Sequence, residues 1–443
     1  MTRPAEGDSF SVTGGRPLVG TVRVPGDKSV SHRALLFGAL AEGRSTVRGL
    51  SDGEDVSKTL AAVVSLGATV TGARDGVLEI AGGASGLAEP GGPIDCGNSG
   101  TTLRLLAGIL AARPWTTRLY GDASLSSRPM TRVAEPLAMM GANVSGRGDR
   151  CLPPVDISGR PLNGIRYSPP HASSQVKSCV LLAGLAAEGE TSVSERVLTR
   201  RHTEEMLELC GANVREETVD GSHVVRVTRS DLEPFELTIP GDPSQAAFWV
   251  VAACIVAGSE VRIPGVYVGE GRRGFLDVLK RMGADVAEEP PSDPGAAPGS
   301  ADIVARYSQL TATDVHASEI TGLDEVPVLA VAAGLARGET VFHDVSELRV
   351  KESDRLAGTL GLLRSFGASA SVAGDDLIVV AGEELHPGRI ESSGDHRMAM
   401  AGAVAALAAR SDEPSVITGW RSVQTSYPRF GDDLATLTRG ERR

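Results

Sequence analysis

Thr203-Glu-Glu-Met-Leu-Glu-Leu-Cys210-Gly211-Ala212 sets its apolar residues three and four apart, stops at a glycine and then turns β-prone. That is the pattern of an amphipathic helix ended by a left-handed glycine and followed by a strand. The same ending returns as Leu66-Gly67-Ala68, Met140-Gly141-Ala142, Met282-Gly283-Ala284 and Phe366-Gly367-Ala368, with glycine spacings of 74, 70, 72 and 84. A self-similarity of this period is the signature of a repeated supersecondary unit.

A second series lies between these endings. Ala/Leu/Val-rich helices are predicted to begin near Ser31, Gly100, Ser174, Ser244, Asp324 and Asp395, in steps of 69, 74, 70, 80 and 71 residues. Their interiors, such as Val180-Leu-Leu-Ala-Gly-Leu-Ala-Ala187, are small and apolar on nearly every face, so they belong inside a domain. Six copies of about 72 residues span nearly all 443 positions and predict an α/β fold. Grouped three and three, they predict one domain over 27–240 and a second made of 1–26 with 241–443. The Pro/Gly-rich run Glu288–Gly299 reads as a surface loop inside the second, and residues 1–15 read as a flexible tail.

Composition narrows the function. A net charge of -12 and a pI of about 5.3 disfavour a broad nucleic-acid or anionic-membrane surface. An anionic ligand then needs a local cationic pocket. Only five of the 44 basic residues are lysines, at 28, 58, 177, 280 and 351. Five scattered cysteines, with no Cys-x-x-Cys, argue against a disulfide framework or a structural zinc site and fit a reducing cytoplasm. The first residues carry no apolar secretion core, and no stretch reads as a membrane span.

The polar residues collect at the six helix starts: Asp27-Lys28-Ser29-Val-Ser31-His32-Arg33, Asn98-Ser-Gly100-Thr101-Thr-Leu-Arg104, Ser173-Ser174-Gln175-Val-Lys177, Asp242-Pro-Ser244-Gln245, Asp324-Glu325 and Asp395-His396-Arg397. Helix N-termini attract anions, and lysines and arginines beside them predict a multi-anion site. Asn98, Asp242 and Ser244 also suit plain N-caps, but capping leaves the neighbouring cations unexplained. In Arg349-Val-Lys351-Glu352-Ser-Asp354-Arg355, two cations and a carboxylate share a helix face. A solvated ion-pair face is the alternative there. Gly269-Glu-Gly271-Arg-Arg-Gly274 with Glu289 imitates a dinucleotide fingerprint; the other copies lack these glycines, so it reads as a strand-to-helix turn.

Taken together, Pro25-Gly-Asp-Lys-Ser-Val-Ser-His-Arg33, Gly97-Asn-Ser-Gly-Thr101, Ser127-Arg-Pro-Met130, Ser173-Ser-Gln-Val-Lys177, Arg200-x-His202-x-Glu204, Arg349-Val-Lys-Glu-Ser-Asp-Arg355 and Asp395-His-Arg-Met-Ala-Met400 resemble the 5-enolpyruvylshikimate-3-phosphate (EPSP) synthase family. The resemblance implies two inside-out α/β domains, each of three βαβαββ-type repeats, with the active site in the interdomain cleft. It implies transfer of the enolpyruvyl group of phosphoenolpyruvate to the 5-hydroxyl of shikimate 3-phosphate, with phosphate released, in the shikimate pathway of aromatic amino acid biosynthesis. It also implies no cofactor and no metal, small-molecule substrates as the partners, and a cytoplasmic monomer.

Residue by residue, the resemblance makes Asp324, Glu352 and Lys28 catalytic. Asp324 serves the 5-hydroxyl; Glu352 and Lys28 handle the proton at C3 of phosphoenolpyruvate. Lys28, Ser29, Arg33, Ser173, Ser174, Gln175, Asp324 and Lys351 hold shikimate 3-phosphate. Lys28, Asn98, Gly100, Arg128, Gln175, Arg355 and Arg397 hold phosphoenolpyruvate. The chain departs from the family pattern at Thr425, where many members carry a lysine, at Thr199 and Arg201, in a stretch that is elsewhere of the type Ser-Arg-Asp-His, and at Glu347. Those departures also suit a relative acting on a different cyclic alcohol. The sister enolpyruvyl transferase of UDP-amino sugars fits less well, because it lacks the Arg-Val-Lys-Glu and Asp-His-Arg clusters. A non-catalytic sensor has no need of Asp324 and Glu352 beside those cations.

Overall fold

The structure is a computed structural model that describes residues 8–72, 76–382 and 384–440. Its contacts divide the chain into an inserted unit, Gly26–Ile239, and a terminal unit, Met1–Pro25 with Pro240–Arg443.

The predicted buried helices are Lys28–Leu40, Gly100–Leu110 and Ser174–Gly184 in the inserted unit, and Pro243–Ile255, Val326–Ala333 and His396–Ala408 in the terminal unit. All 13 residues of Pro243–Ile255 are buried. The small residues permit close helix packing: a Cβ on Gly108 would lie 2.2 Å from the carbonyl oxygen of Cys179 on the neighbouring helix. The amphipathic helices are Glu54–Ser65, Thr131–Met140, His202–Leu209, Gly274–Arg281 and Arg355–Ser365, followed by Gly67, Gly141, Gly211, Gly283 and Gly367 at φ between 67° and 110°. Only glycine adopts that backbone without a steric cost, which is why the motif recurs. A sixth amphipathic helix, Phe430–Arg439, ends at Gly440 (φ 68°).

Each repeat builds one outer sheet. After the buried helix Lys28–Leu40 comes Gly43–Arg48, then the amphipathic helix, then the hairpin Thr69–Gly72 and Val77–Gly82, whose second strand inserts beside the first. The strands bury alternate residues and leave the others outward, so the helices form the interior and the sheets the shell. In each unit one sheet takes its parallel edge strand from far along the chain. Val19–Thr21, which precedes the first buried helix, pairs in parallel with Glu260–Tyr267 within the terminal unit, and Glu236–Thr238 pairs in parallel with Gly43–Arg48 within the inserted one.

The expectation of a tail over 1–15 needs correction. Residues 1–7 lie outside the described residues, but Ser9–Val12 is a strand, antiparallel to Ser415–Thr418. Phe10 and Val12 enter the core, with Phe10 stacked 4.0 Å from Trp420. This strand completes the sixth sheet, taking the place that a hairpin strand holds in the other five.

Candidate functional site

The inserted unit gathers polar residues at three capped helix starts. Asp27 accepts from the Val30 amide, Ser99 from Thr102 and Ser173 from Val176. Lys28, at the first position of its helix, pairs with Asp55 at 2.9 Å. Ser29 Oγ accepts from Arg200 at 2.9 Å. Asn98 is not the cap: its Oδ1 accepts from Arg128 Nη2 at 2.7 Å, and its Nδ2 donates to Asp122 at 2.8 Å. Gln175 donates to Thr101 Oγ1 at 2.9 Å and accepts from Arg104. Ser174 contributes its carbonyl, which accepts from Ser178 Oγ at 2.6 Å. A Cβ on Gly100 would stand 3.1 Å from Arg104 and 3.4 Å from Arg128, so glycine leaves these guanidinium groups room.

Arg33 is buried. Its Nε donates to Thr203 Oγ1 at 2.7 Å, Nη2 to Ser178 Oγ at 2.6 Å and Nη1 to the Ser29 carbonyl at 2.9 Å. Burial pulls its pKa down to about 10, with Arg200 adding to the fall and Glu204 opposing it. Arg33 is therefore charged at neutral pH, and its orientation depends on neutral hydroxyls. Thr203→Val strands the Nε–H and is expected to cost about 1–3 kcal/mol in urea unfolding.

His32, next in the chain, contacts Thr59 Oγ1 at 2.7 Å, and Thr59 in turn contacts Thr102. Burial, then the charges of Lys28 and Arg33, hold its imidazole well below the ordinary value, so it is neutral. The unfolded chain takes up a proton here below about pH 6.5 and the folded chain does not, so acidification favours unfolding. The expected result is that His32 remains in its neutral form by NMR at about pH 5.5, while unfolding midpoints fall from about pH 7 downward. A His32 signal titrating near pH 6.5 contradicts this.

Lys177 lies between Glu195 at 2.7 Å and Glu204 at 2.6 Å, all three buried, and Thr199 donates to Glu195 at 2.6 Å. Arg201 binds Glu216 through two nitrogens. Among the described residues, Glu204, Glu216 and His223 bring possible metal-ligand atoms within 4.8 Å of one another. Lys177 and Arg201 already neutralise both carboxylates, so a cation must compete with them. The five cysteines are buried and unpaired, and burial pushes the thiols of Cys179, Cys210 and Cys254 up to about 12.

In the terminal unit, the predicted residues converge on Arg355. This fully buried guanidinium donates from Nε to Asp395 Oδ2 at 2.8 Å, from Nη1 to Asp324 Oδ1 at 2.9 Å, and from Nη2 to Glu352 Oε2 at 2.5 Å and Asp395 Oδ1 at 3.3 Å. Burial alone lowers its pKa, but Asp395, Glu352 and Asp324 together raise it above the ordinary arginine value. Arg397 approaches the other oxygen of Asp324 at 3.4 Å. Asp395 caps His396–Ala408 by accepting from the Arg397 amide at 2.9 Å, and also accepts from Ser353 at 3.0 Å. Lys351 is half-buried; burial lowers its pKa while Asp324, Glu352 and Glu347 oppose the shift.

Several partners escaped the sequence reading. Asp395 stood in a quoted motif, but its hold on Arg355, 40 residues away, had no sequence signal. Thr203 and Asp55 likewise had none, and Arg104 stood among the quoted helix-start cations with nothing to name Gln175 as its partner. Of the departures, Thr199 and Arg201 turn toward Glu195 and Glu216, and Thr425 donates to the Ser422 carbonyl at 2.8 Å.

Comparison with known proteins decides the family. The family model for EPSP synthase (3-phosphoshikimate 1-carboxyvinyltransferase) matches residues 12–434. The chain belongs to the EPSP synthase family. Within it, the chain is 43% identical over 423 residues to the 3-phosphoshikimate 1-carboxyvinyltransferase of Streptococcus uberis, covering 95% of this chain and 97% of that one. The EPSP synthase structure from Acinetobacter baumannii superposes with a TM-score of 0.83 at 39% identity, over 97% of this chain and 98% of that one. The enolpyruvyl transferase NikO from Streptomyces tendae, at 21% identity and a TM-score of 0.76, covering 97% and 98%, shares the fold. Among the described residues of this EPSP synthase family member, no helix is long and apolar enough to cross a membrane.

Proposed function

We propose that the chain transfers the carboxyvinyl group of phosphoenolpyruvate to the 5-hydroxyl of shikimate 3-phosphate and releases inorganic phosphate. Family membership supports the reaction. The observation that carries the site is that Asp324 and Glu352 both bind one buried guanidinium, Arg355, while Arg397 approaches the far side of Asp324.

In this reading, a proton reaches C3 of phosphoenolpyruvate and C2 becomes electrophilic. The 5-hydroxyl oxygen bonds to C2 as its proton leaves. The C2–O bond to phosphate then breaks, and a C3 proton departs to restore the double bond. Asp324 accepts or orients the 5-hydroxyl proton, and Glu352 with Lys28 carries the C3 proton. The charges that develop are those of an anionic carboxylate and a departing phosphate, which planar guanidinium groups match. Arg128, Arg355 and Arg397 are assigned to phosphoenolpyruvate, with Asn98, Gly100 and Gln175 supporting. Arg355 keeps one Nη1 hydrogen beyond those directed at carboxylates. Ser29, Arg33, Ser173, Ser174, Gln175 and Lys351 are assigned to shikimate 3-phosphate. We place the protein in the cytoplasm as a monomer.

The test is phosphate release from phosphoenolpyruvate with shikimate 3-phosphate, against UDP-N-acetylglucosamine in a parallel sample, with a chelator in both. Release with shikimate 3-phosphate alone is expected. Release only with the nucleotide sugar, or with neither, overturns the reading.

A further inference from the structure

The segment Gly269-Glu-Gly271-Arg-Arg-Gly274, which imitates a nucleotide-binding turn, does something else in the fold. Its Gly271 takes φ 75°, and a Cβ on Gly274 would lie 1.8 Å from the carbonyl oxygen of Glu319, so this turn is pressed against the loop that leads to Asp324. Arg272 is folded inward. Its Nη2 donates to Asp242 Oδ1 at 3.1 Å and to Ser244 Oγ at 3.2 Å, and its Nη1 lies 3.9 Å from Glu325 Oε1. Ser244 Oγ donates to the same Glu325 oxygen. The side chains of Arg272, Asp242 and Glu325 are 2%, 5% and 6% exposed.

Glu325 is the neighbour of Asp324, and the backbone just before them is strained: Leu323 has φ 58°, a left-handed conformation that leucine avoids. Such a conformation persists only where the surroundings over-determine it. Arg355 and Arg397 hold the Asp324 side chain from one direction. Glu325 holds the backbone from another. It occupies the N-cap position of Val326–Ala333 without capping it, sending its carboxylate instead to Ser244 at the start of Pro243–Ile255.

We infer that Arg272 is a positioning residue for Asp324, acting through a buried Asp242–Ser244–Glu325 cluster that keeps the Leu323–Glu325 backbone in its strained form. The inference rests on the proposed reaction, in which Asp324 serves the 5-hydroxyl. Released from the cluster, Leu323 relaxes toward negative φ and the Asp324 carboxylate turns away from Arg355 and Arg397. A displacement near 1 Å in such a group costs on the order of 100-fold in rate.

The test uses Arg272→Lys and Ser244→Ala, which keep the cluster's charge or its volume, beside Arg272→Gln. A core variant, Leu363→Ala, serves as a control for lost stability. Steady-state rates and hydrogen exchange over residues 320–326 are measured on all four. The expected result is a fall in kcat of about 10- to 100-fold in Arg272→Gln, with both KM values within about threefold. Arg272→Lys and Ser244→Ala should show a smaller loss, and exchange should quicken in all three. Leu363→Ala should lower the melting temperature and leave kcat unchanged. Unchanged exchange at 320–326, unchanged kcat, or an equal kcat loss in Leu363→Ala overturns the inference. Should the wild-type chain transfer nothing to shikimate 3-phosphate, the proposed reaction fails, while the exchange measurement still decides whether Arg272 holds the loop.

Discussion

Asp324→Ala is expected to lower kcat by about 10²- to 10⁴-fold, the range for removing a general base, while shikimate 3-phosphate still binds. The fold should survive the change. Arg355 retains Asp395 and Glu352 as carboxylate partners, so its buried charge stays compensated. Asp324 is half-buried rather than sealed in the core, so the truncation opens toward solvent rather than leaving a closed cavity. Calorimetry with shikimate 3-phosphate, beside rapid-quench measurement of phosphate, separates the two effects. Turnover within tenfold of wild type would take the base away from Asp324.

Arg355→Met is expected to have the largest effect on stability. Breaking a buried ion pair by removing one partner costs about 3–5 kcal/mol, because the other charge stays buried. Here one guanidinium serves three carboxylates, and Asp395 is wholly inaccessible. Asp395 keeps only Ser353 and the helix N-terminus that it caps. An abandoned carboxylate prefers to be protonated, so the deficit against wild type should shrink as pH falls toward about 5. Urea unfolding of the variant and the wild type at two pH values measures this. A loss below about 1 kcal/mol at neutral pH, or a loss independent of pH, contradicts the picture of Arg355 as the cation that holds the cluster together.

The repeat was legible because it is local. A glycine at positive φ after an amphipathic run needs no knowledge of what the helix packs against, and neither does an apolar helix with polar residues gathered at its start. The sixth amphipathic helix escaped because Gly440 is not followed by alanine and a β-prone residue. The pairing of Val19–Thr21 and Glu236–Thr238 with distant strands escaped for a different reason: it joins residues more than 180 positions apart, and nothing in either triplet names its partner. Ser9–Val12 was legible and overlooked. Its alternation of serine with Phe10 and Val12 has the period of a half-buried strand.

In the site, the residues that carry charge stood out and those that orient them did not. Arg33 is recognisable from its motif, but Thr203 lies 170 residues away and is one of many threonines. Arg272 was visible only as part of a glycine-rich turn, and the turn's likeness to a nucleotide site concealed an inward-facing guanidinium.

The bond that forms is the central claim, and it can be observed directly. Phosphoenolpyruvate labelled with ¹³C at C2 is mixed with shikimate 3-phosphate and the protein, and the product is examined by ¹H–¹³C long-range correlation NMR. The account predicts that the labelled carbon, now an enol ether, correlates with the ring proton at C5 as inorganic phosphate appears in equal amount. A correlation to a different ring position, or a labelled carbon that remains phosphoenolpyruvate, contradicts it.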